Sequence, residues 1–463
     1  MKLVYCPECL EKQRIIDELR EENRRLKAQL RYQQRTAMEG PFGSSTPSSK
    51  MPVKPNSLEE RQAKRGGAKP GHEGHGRQAV DAQQADRVEV MKVDGPCPCC
   101  GGKLEDKGVR WRTVINGQPV KKETVVYGLN RKWCPRCRKS FQARAPGVLP
   151  KSLYSNALLT HVMMQHYVYG VPLGRLEAQL GIGCGSLIAP LHRLSRLFEP
   201  VMDRLIKEYR KAPVKHADET SWRTDGQNGY AWLFCTKQTN IFRFRKTRSA
   251  SVAREVFGEQ PLPGDLVVDR YPAYNKTPCR LQHCYAHLNR EVKDLKKEFP
   301  DQGEVETFVT TFAPLLSRAM SLRSLPISDR EFYRRAKTIK QAILEVVNHS
   351  ARHPGIQRIQ DIFRKTPERM YRWAQDRNVP ADNNLAERTL RPTVIARKVS
   401  FGSQSDAGAK TREILMSILF TLKQRFPDFH TRFQNTLDRL AENSTLDPCM
   451  ILFQQDSPEP ARN

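Results

Sequence analysis

At residue 213 the apolar pattern of the chain changes period, and this switch constrains the fold more than any other feature. Residues 152–210 repeat their apolar side chains at helical spacing. From 213 onward "PVKHADETSW", "GYAWLFCT" and "NIFRFRKT" read as three successive strands joined by short polar turns. "RSASVAREVFG" returns to a helical period, and "GDLVVDRYPAYN" carries a short unbroken apolar run ending in Asp269. A run of that length, bounded by turn residues, reads as a strand buried on both faces.

Three strands, a helix and a fourth strand form the layout of an RNase H-like sheet. In that layout the first and fourth strands are neighbours, so Asp218 and Asp269 converge although distant in sequence. Successive strand residues face opposite sides, so Asp218 and Glu219 of "HADETSW" cannot both serve one site. Asp218 shares its face with Val214 and His216. Holding two divalent cations takes a third carboxylate, because bridging and terminal oxygen ligands are both required. The segment "DNNLAERTLRPTVIARKVSFGSQSDAGAKTREILMSILFTLK" supplies it. If a helix starts near Asp382 as its N-cap, Glu387 falls on the second turn, and Arg388, Arg391 and Arg397 lie close enough to meet phosphates. Asp382 is the competing third acid, but a position just before a helix suits a cap.

Composition narrows the partner. Over 463 residues, Lys and Arg outnumber Asp and Glu by 78 to 50, a net charge of +28. Each neutralised phosphate releases counterions, so nucleic acid leads as partner and a membrane surface follows. No apolar run reaches about 18 residues and no basic-then-apolar leader opens the chain. The expectation is a soluble, cytoplasmic protein without membrane contact. Its 12 cysteines are then thiols or metal ligands before they are disulfides.

The remaining segments predict a multidomain α+β chain. Residues 10–35 place Ile16, Leu19, Asn23, Leu26 and Leu30 at steps of three and four, a coiled-coil seam whose buried Asn favours a dimer in fixed register; a charged surface helix is the plainer alternative. The preceding Cys6 and Cys9 are a lone pair, read as free thiols. Residues 40–90 form a basic linker rich in Gly, Pro and Ser. In 91–147, "CPCCGG" and "CPRC" present Cys97, Cys100, Cys134 and Cys137 as four thiolates for a structural Zn²⁺, with hairpin strands expected between Lys121 and Trp133. Residues 150–210 read as helix-turn-helix, with the second helix beginning at Ser186; a plain helical bundle is the alternative. "CYAH" sets Cys284 and His287 as a CxxH pair, either a zinc half-site completed by Cys279 or His283, or a strand running into a helix. Residues 212–287 and 376–425 make the mixed α/β domain, 288–375 a charged helical insertion lying over DNA or a second subunit, and 426–463 a C-terminal helix and tail.

These motifs together resemble the transposases of the bacterial insertion-sequence family numbered sixty-six. "HADETSW", "VVDRYPAYN", "CYAHLNREVKDL" and above all "DNNLAERTLRP…RKVSFGS…GA" carry the resemblance, with the cysteine ribbon, "PGHEGHGR" and the seam. The resemblance implies a DDE catalytic domain of RNase H-like fold, with Asp218, Asp269 and Glu387 as ligands of two Mg²⁺ ions, for which Mn²⁺ substitutes. It implies cleavage at transposon ends and attack of the freed 3′ hydroxyl on target DNA. Arg388, Arg391, Arg397 and Lys398 then contact DNA, and the partners are terminal inverted repeats, target DNA, a second copy of the chain or a higher oligomer, and small accessory proteins of the same element, all within the nucleoid-bearing cytoplasm. "RKVSFGS" departs from the family pattern at Val399 and Ser400. Two other readings stay open: a transposase-derived DNA-binding protein that no longer cuts, and an RNase H-like structure-specific nuclease.

Overall fold

The structure, a computed structural model, describes residues 7–40, 43–44, 123–127, 129, 131–134, 139–142 and 144–454. The chain divides into two units, Thr46–Glu123 and Met1–Ser45 with Thr124–Asn463, and every element below belongs to the second.

Helix α1 (Pro7–Met38) spans the residues read as a coiled-coil seam, and Ile16, Leu19 and Leu26 on it are exposed. The strands expected around "ETVVYGLN" fall later in the chain. Residues 123–127 have no regular structure, and Arg131–Cys134 pairs antiparallel with Lys139–Gln142. Cys134 therefore ends the first strand of this antiparallel pair. Cys97, Cys100 and Cys137, and with them the zinc reading, lie outside the described residues, as does the side chain of Cys134.

A helical layer follows: α2 (Asn156–Met163), running on into a π turn at Met164–Val168, then α3 (Leu173–Leu180), α4 (Cys184–Phe198) and α5 (Val201–Lys211). Gly181 ends α3 in the left-handed region (φ 62°), a conformation that costs glycine little. Helix α4 starts at Cys184, two residues before the expected Ser186, because Gly183 already serves as its N-cap.

The sheet follows from local signals. Strands β1 (Val214–Thr224) and β2 (Gln227–Cys235) are joined by Asp225 and Gly226, both at positive φ (53° and 69°). Two such residues make the turn whose twist matches paired strands, and Asp-Gly adopts it readily. Strand β3 (Asn240–Arg245) pairs antiparallel with β2. After α6 (Ala250–Phe257), β4 (Asp265–Val268) returns parallel to β1, and β5 (Arg280–His283) lies parallel to β4. The order is thus β3-β2-β1-β4-β5 in one mixed sheet, with the first and fourth strands adjacent.

Beyond the sheet come α7 (Tyr285–Glu298), α8 (Gly303–Leu322), α9 (Asp329–Asn348), α10 (Pro354–Lys365), α11 (Asn384–Ser400), α12 (Asp406–Arg425), α13 (Phe429–Glu442) and α14 (Pro448–Phe453). Helices α7 to α10 bury an apolar core of their own, separate from the one shared by the sheet, α2 to α6 and α11 to α14.

Helix α12 solves the edge problem of β3. A free strand edge leaves every second N–H without a partner. Here the N–H groups of Asn240 and Phe242 donate to Thr421 Oγ1 and Ser417 Oγ, both at 2.9 Å, and that of Phe244 to Glu413 Oε2 at 3.3 Å. The match is geometric: two strand residues advance about 6.6 Å and four helical residues about 6.0 Å. Glu413 also accepts from Arg243 Nη1 and Arg245 Nη1, each at 2.6 Å.

His166, at the π turn, gives the fold an acid limit. Arg412 donates to His166 Nε2 at 2.8 Å, and Nδ1 lies 2.9 Å from the Val171 carbonyl, so the ring is held neutral. Burial, and then the Arg412 charge, pull its pKa from 6.5 down to about 3. The unfolded chain therefore binds the extra proton as pH falls below 6.5. Stability present above that pH is lost toward 3, at about 1.4 kcal/mol per pH unit. His166→Gln, which keeps an acceptor for Arg412, is expected to flatten the fall in urea midpoint between pH 7 and 5; an unchanged fall would place the acid limit elsewhere.

Candidate active site

Parallel pairing sets the first two acids side by side. His216 lies opposite Val267, so two further steps along each strand bring Asp218 level with Asp269, which directly follows β4. Neighbouring strands are about 4.8 Å apart, and in-register parallel residues face the same way. Asp269 turns the chain away from the sheet by accepting from Tyr271 N at 2.9 Å.

The third acid arrives on α11. The helix is capped by Asn383 and not by Asp382, which accepts from Asn384 N at 3.0 Å just outside it. Glu387 consequently lies in the first turn and not the second. Asn383 is fully buried and ties this helix start to the sheet. Its Oδ1 meets His216 Nδ1 at 2.9 Å, its Nδ2 donates to the Ala217 carbonyl at 2.8 Å, and its own N–H points at Cys284 Sγ at 3.1 Å. This clamp, which fixes Glu387 over β1, has only one signal in the sequence, its place in "DNN".

Electrostatics register the convergence. Burial first, then the charges of Glu219, Asp269 and Glu387, push the Asp218 carboxyl well above the usual carboxylate range. Among the described residues no lysine or arginine pairs with Asp218, Asp269 or Glu387; Arg270, next to Asp269, is taken by Glu291. Asp218 thus feels both Asp269 and Glu387, hard-oxygen donors of the kind that suits Mg²⁺ or Mn²⁺. Among the described residues, the only three ligand atoms within 4.8 Å of one another are those of Cys284, His287 and Glu387.

Glu219 faces the other side of β1. It accepts from Arg248 Nη2 and Nε at 2.6 and 3.0 Å and from the Tyr274 hydroxyl, and is 3% exposed. Burial and then Asp269 raise its pKa to about 7, against the opposing pull of Tyr274 and Arg248. Arg248 and Tyr274, which no sequence motif singles out, thus hold a buried acid next to Asp218.

The other sequence-predicted residues divide. Arg388, Arg391 and Lys398 are exposed on α11, with Ile395, Val399 and Phe401 exposed beside them. Arg397 turns inward, donating to Thr220 Oγ1 at 3.1 Å and to the Ser221 carbonyl at 2.8 Å. Cys284 and His287 sit where β5 runs into α7, as the second reading of "CYAH" has it, and a sulfur, a nitrogen and an oxygen of Cys284, His287 and Glu387 lie within 4.8 Å of one another. Cys279 and His283 are not in that cluster. Burial pushes the Cys284 thiol up to about 12, opposed by the backbone amides of His287, Asn383 and Ala286 that face the sulfur.

Fold and site together define a class: a mixed α/β protein with two acids on adjacent strands of a five-stranded sheet and a third at the start of one helix. Residues 151–411, more than half of the chain and all three acids, match the family described as Transposase IS66 family. The chain belongs to that transposase family. It is also similar to two proteins of Sinorhizobium fredii (strain NBRC 101917 / NGR234). Uncharacterized protein y4qI is 26% identical over 407 residues, covering 78% of this chain and 74% of the relative. Uncharacterized protein y4jD is 22% identical over 389 residues, covering 75% of each. No helix among the described residues is long and apolar enough to cross a membrane.

Proposed function

We propose that this transposase binds the ends of an insertion sequence and carries out divalent-metal-dependent strand cleavage and strand transfer on an RNase H-like fold. Asp218, Asp269 and Glu387 are its metal-holding acids. The parallel register that brings Asp218 level with Asp269, with Glu387 on the helix start that Asn383 ties to β1, supports the reading. Divalent ions held by these acids would supply Lewis acidity to phosphodiester cleavage.

The protein's own residues do the rest. Asn383 holds Glu387 at the strand ends, and Glu219, locked by Arg248 and Tyr274, keeps β1 in register. Arg388, Arg391 and Lys398 meet the phosphate backbone, and Arg397 braces α11 on β1 at the edge of the same contact. These charges position DNA without reading its bases. End recognition falls to α3 and α4 as a helix-turn-helix, dimerisation to α1, and a structural zinc to Cys97, Cys100, Cys134 and Cys137. No serine or tyrosine is required as a covalent nucleophile.

The test is cleavage of a labelled duplex carrying the element's terminal repeat, in Mg²⁺, by the wild type and Asp269→Asn. The wild type is expected to nick at the repeat boundary and join the freed 3′ end to target DNA, while the variant binds and does not cut. If both bind and neither cuts, a DNA-binding role replaces the enzymatic one.

A further inference from the structure

The Cys284, His287 and Glu387 cluster has the donor chemistry of a second, softer metal site. His287 Nδ1 and Glu387 Oε1 are 3.6 Å apart, too far for a hydrogen bond. Both atoms are buried without any hydrogen-bond partner. Two such orphans facing each other are costly unless something joins them. Two ligands on one tetrahedral ion with bonds near 2.05 Å stand about 3.4 Å apart, close to the separation seen here. The third donor is already oriented. Cys284 is the N-cap of the 14-residue helix α7, and its sulfur receives the Asn383 N–H at 3.1 Å. Thiolate, imidazole and one carboxylate form a set that prefers zinc to magnesium, and one coordination position stays open.

We propose that Cys284, His287 and Glu387 bind a single zinc ion, and that this ion withdraws Glu387 from the carboxylate site and so switches strand cleavage off. The proposal rests on the reading of Glu387 as a ligand of the catalytic cations. As zinc enters, the Cys284 thiol loses its proton to solvent, His287 binds through neutral Nδ1, and Glu387 contributes Oε1. Asp218 and Asp269 are then left without their third partner. Asn383 connects the two states, because it caps the helix that carries Glu387 and also touches the sulfur.

Zinc and cobalt counted on the full-length chain provide the test, without DNA and without catalysis. His287→Asn and Cys284→Ser are each expected to hold one equivalent less than the wild type, and the wild-type-minus-variant cobalt spectrum is expected to show a thiolate charge-transfer band. Asp218→Asn should keep the full count. His287 is partly exposed, so His287→Asn keeps the comparison valid even where the buried Cys284→Ser fails to fold. In a second arm, zinc is added to the magnesium-loaded protein during cleavage. Half-inhibition is expected to need about tenfold or more zinc in His287→Asn than in the wild type. Equal counts in wild type and His287→Asn overturn the site, and equal half-inhibition overturns its link to Glu387. Absence of cleavage in every form would instead sink the transposase reading while leaving the metal count intact.

Discussion

Asp218→Asn is expected to lower Mg²⁺-dependent cleavage of a terminal-repeat duplex by about a thousandfold or more, with DNA binding retained. Losing one ligand of a metal-assisted displacement removes several kcal/mol of transition-state stabilisation, and about 4 kcal/mol corresponds to that factor. Glu219→Gln is expected to stay within about tenfold of the wild-type rate. Its carboxyl sits on the opposite face of β1, held by Arg248 and Tyr274. Quantitative nicking assays separate the two. Should Glu219→Gln abolish cleavage while Asp218→Asn spares it, the assignment within "HADETSW" is reversed.

The largest stability effect belongs to Glu413. Its carboxylate is 1% exposed and serves Arg243, Arg245 and the Phe244 N–H. Glu413→Ala leaves Arg243, itself almost buried, with only the edge of Glu255 at 4.0 Å. Breaking a buried pair by deleting one partner costs about 3–5 kcal/mol, a large share of the 5–15 kcal/mol that typically holds a domain together. A urea midpoint lowered accordingly is expected, with Glu413→Gln in between because the amide still accepts from Phe244. A midpoint unchanged in Glu413→Ala would mean that the β3 edge is held by Ser417 and Thr421 alone.

The parts of this architecture readable from sequence are those fixed by local rules. Alternation places Asp218, an apolar run ends at Asp269, and Asp225-Gly226 announces its hairpin. The adjacency of β1 and β4 follows from sheet layout, and so does the meeting of the two acids. What escaped depends on residues that meet only in three dimensions. The spacing of Glu413, Ser417 and Thr421 looks like ordinary helix periodicity until Asn240, Phe242 and Phe244 lie against it. Asn383 is one of two consecutive asparagines, and only burial singles it out. Asp382 has the sequence profile of a cap, yet Asn383 takes that place because the chain enters the helix one residue later. Sequence proximity offers Cys279 or His283 as the partner of the "CYAH" pair, whereas the structure places Glu387 of a distant helix beside it. Arg397 reads as a phosphate contact by spacing, and its guanidinium instead reaches back to Thr220 and Ser221.

Asp218, Asp269 and Glu387 are expected to act as one unit. Residues that hold shared ions fail together, so their losses do not add. The most direct measurement is therefore cleavage of the labelled terminal-repeat duplex by Glu387→Gln, Asp382→Asn and the double variant Asp218→Asn with Glu387→Gln, each at equal DNA occupancy. Glu387→Gln is expected to fall to the background of Asp218→Asn, the double variant to be no lower, and Asp382→Asn still to cut. An active Glu387→Gln beside an inactive Asp382→Asn would contradict that expectation.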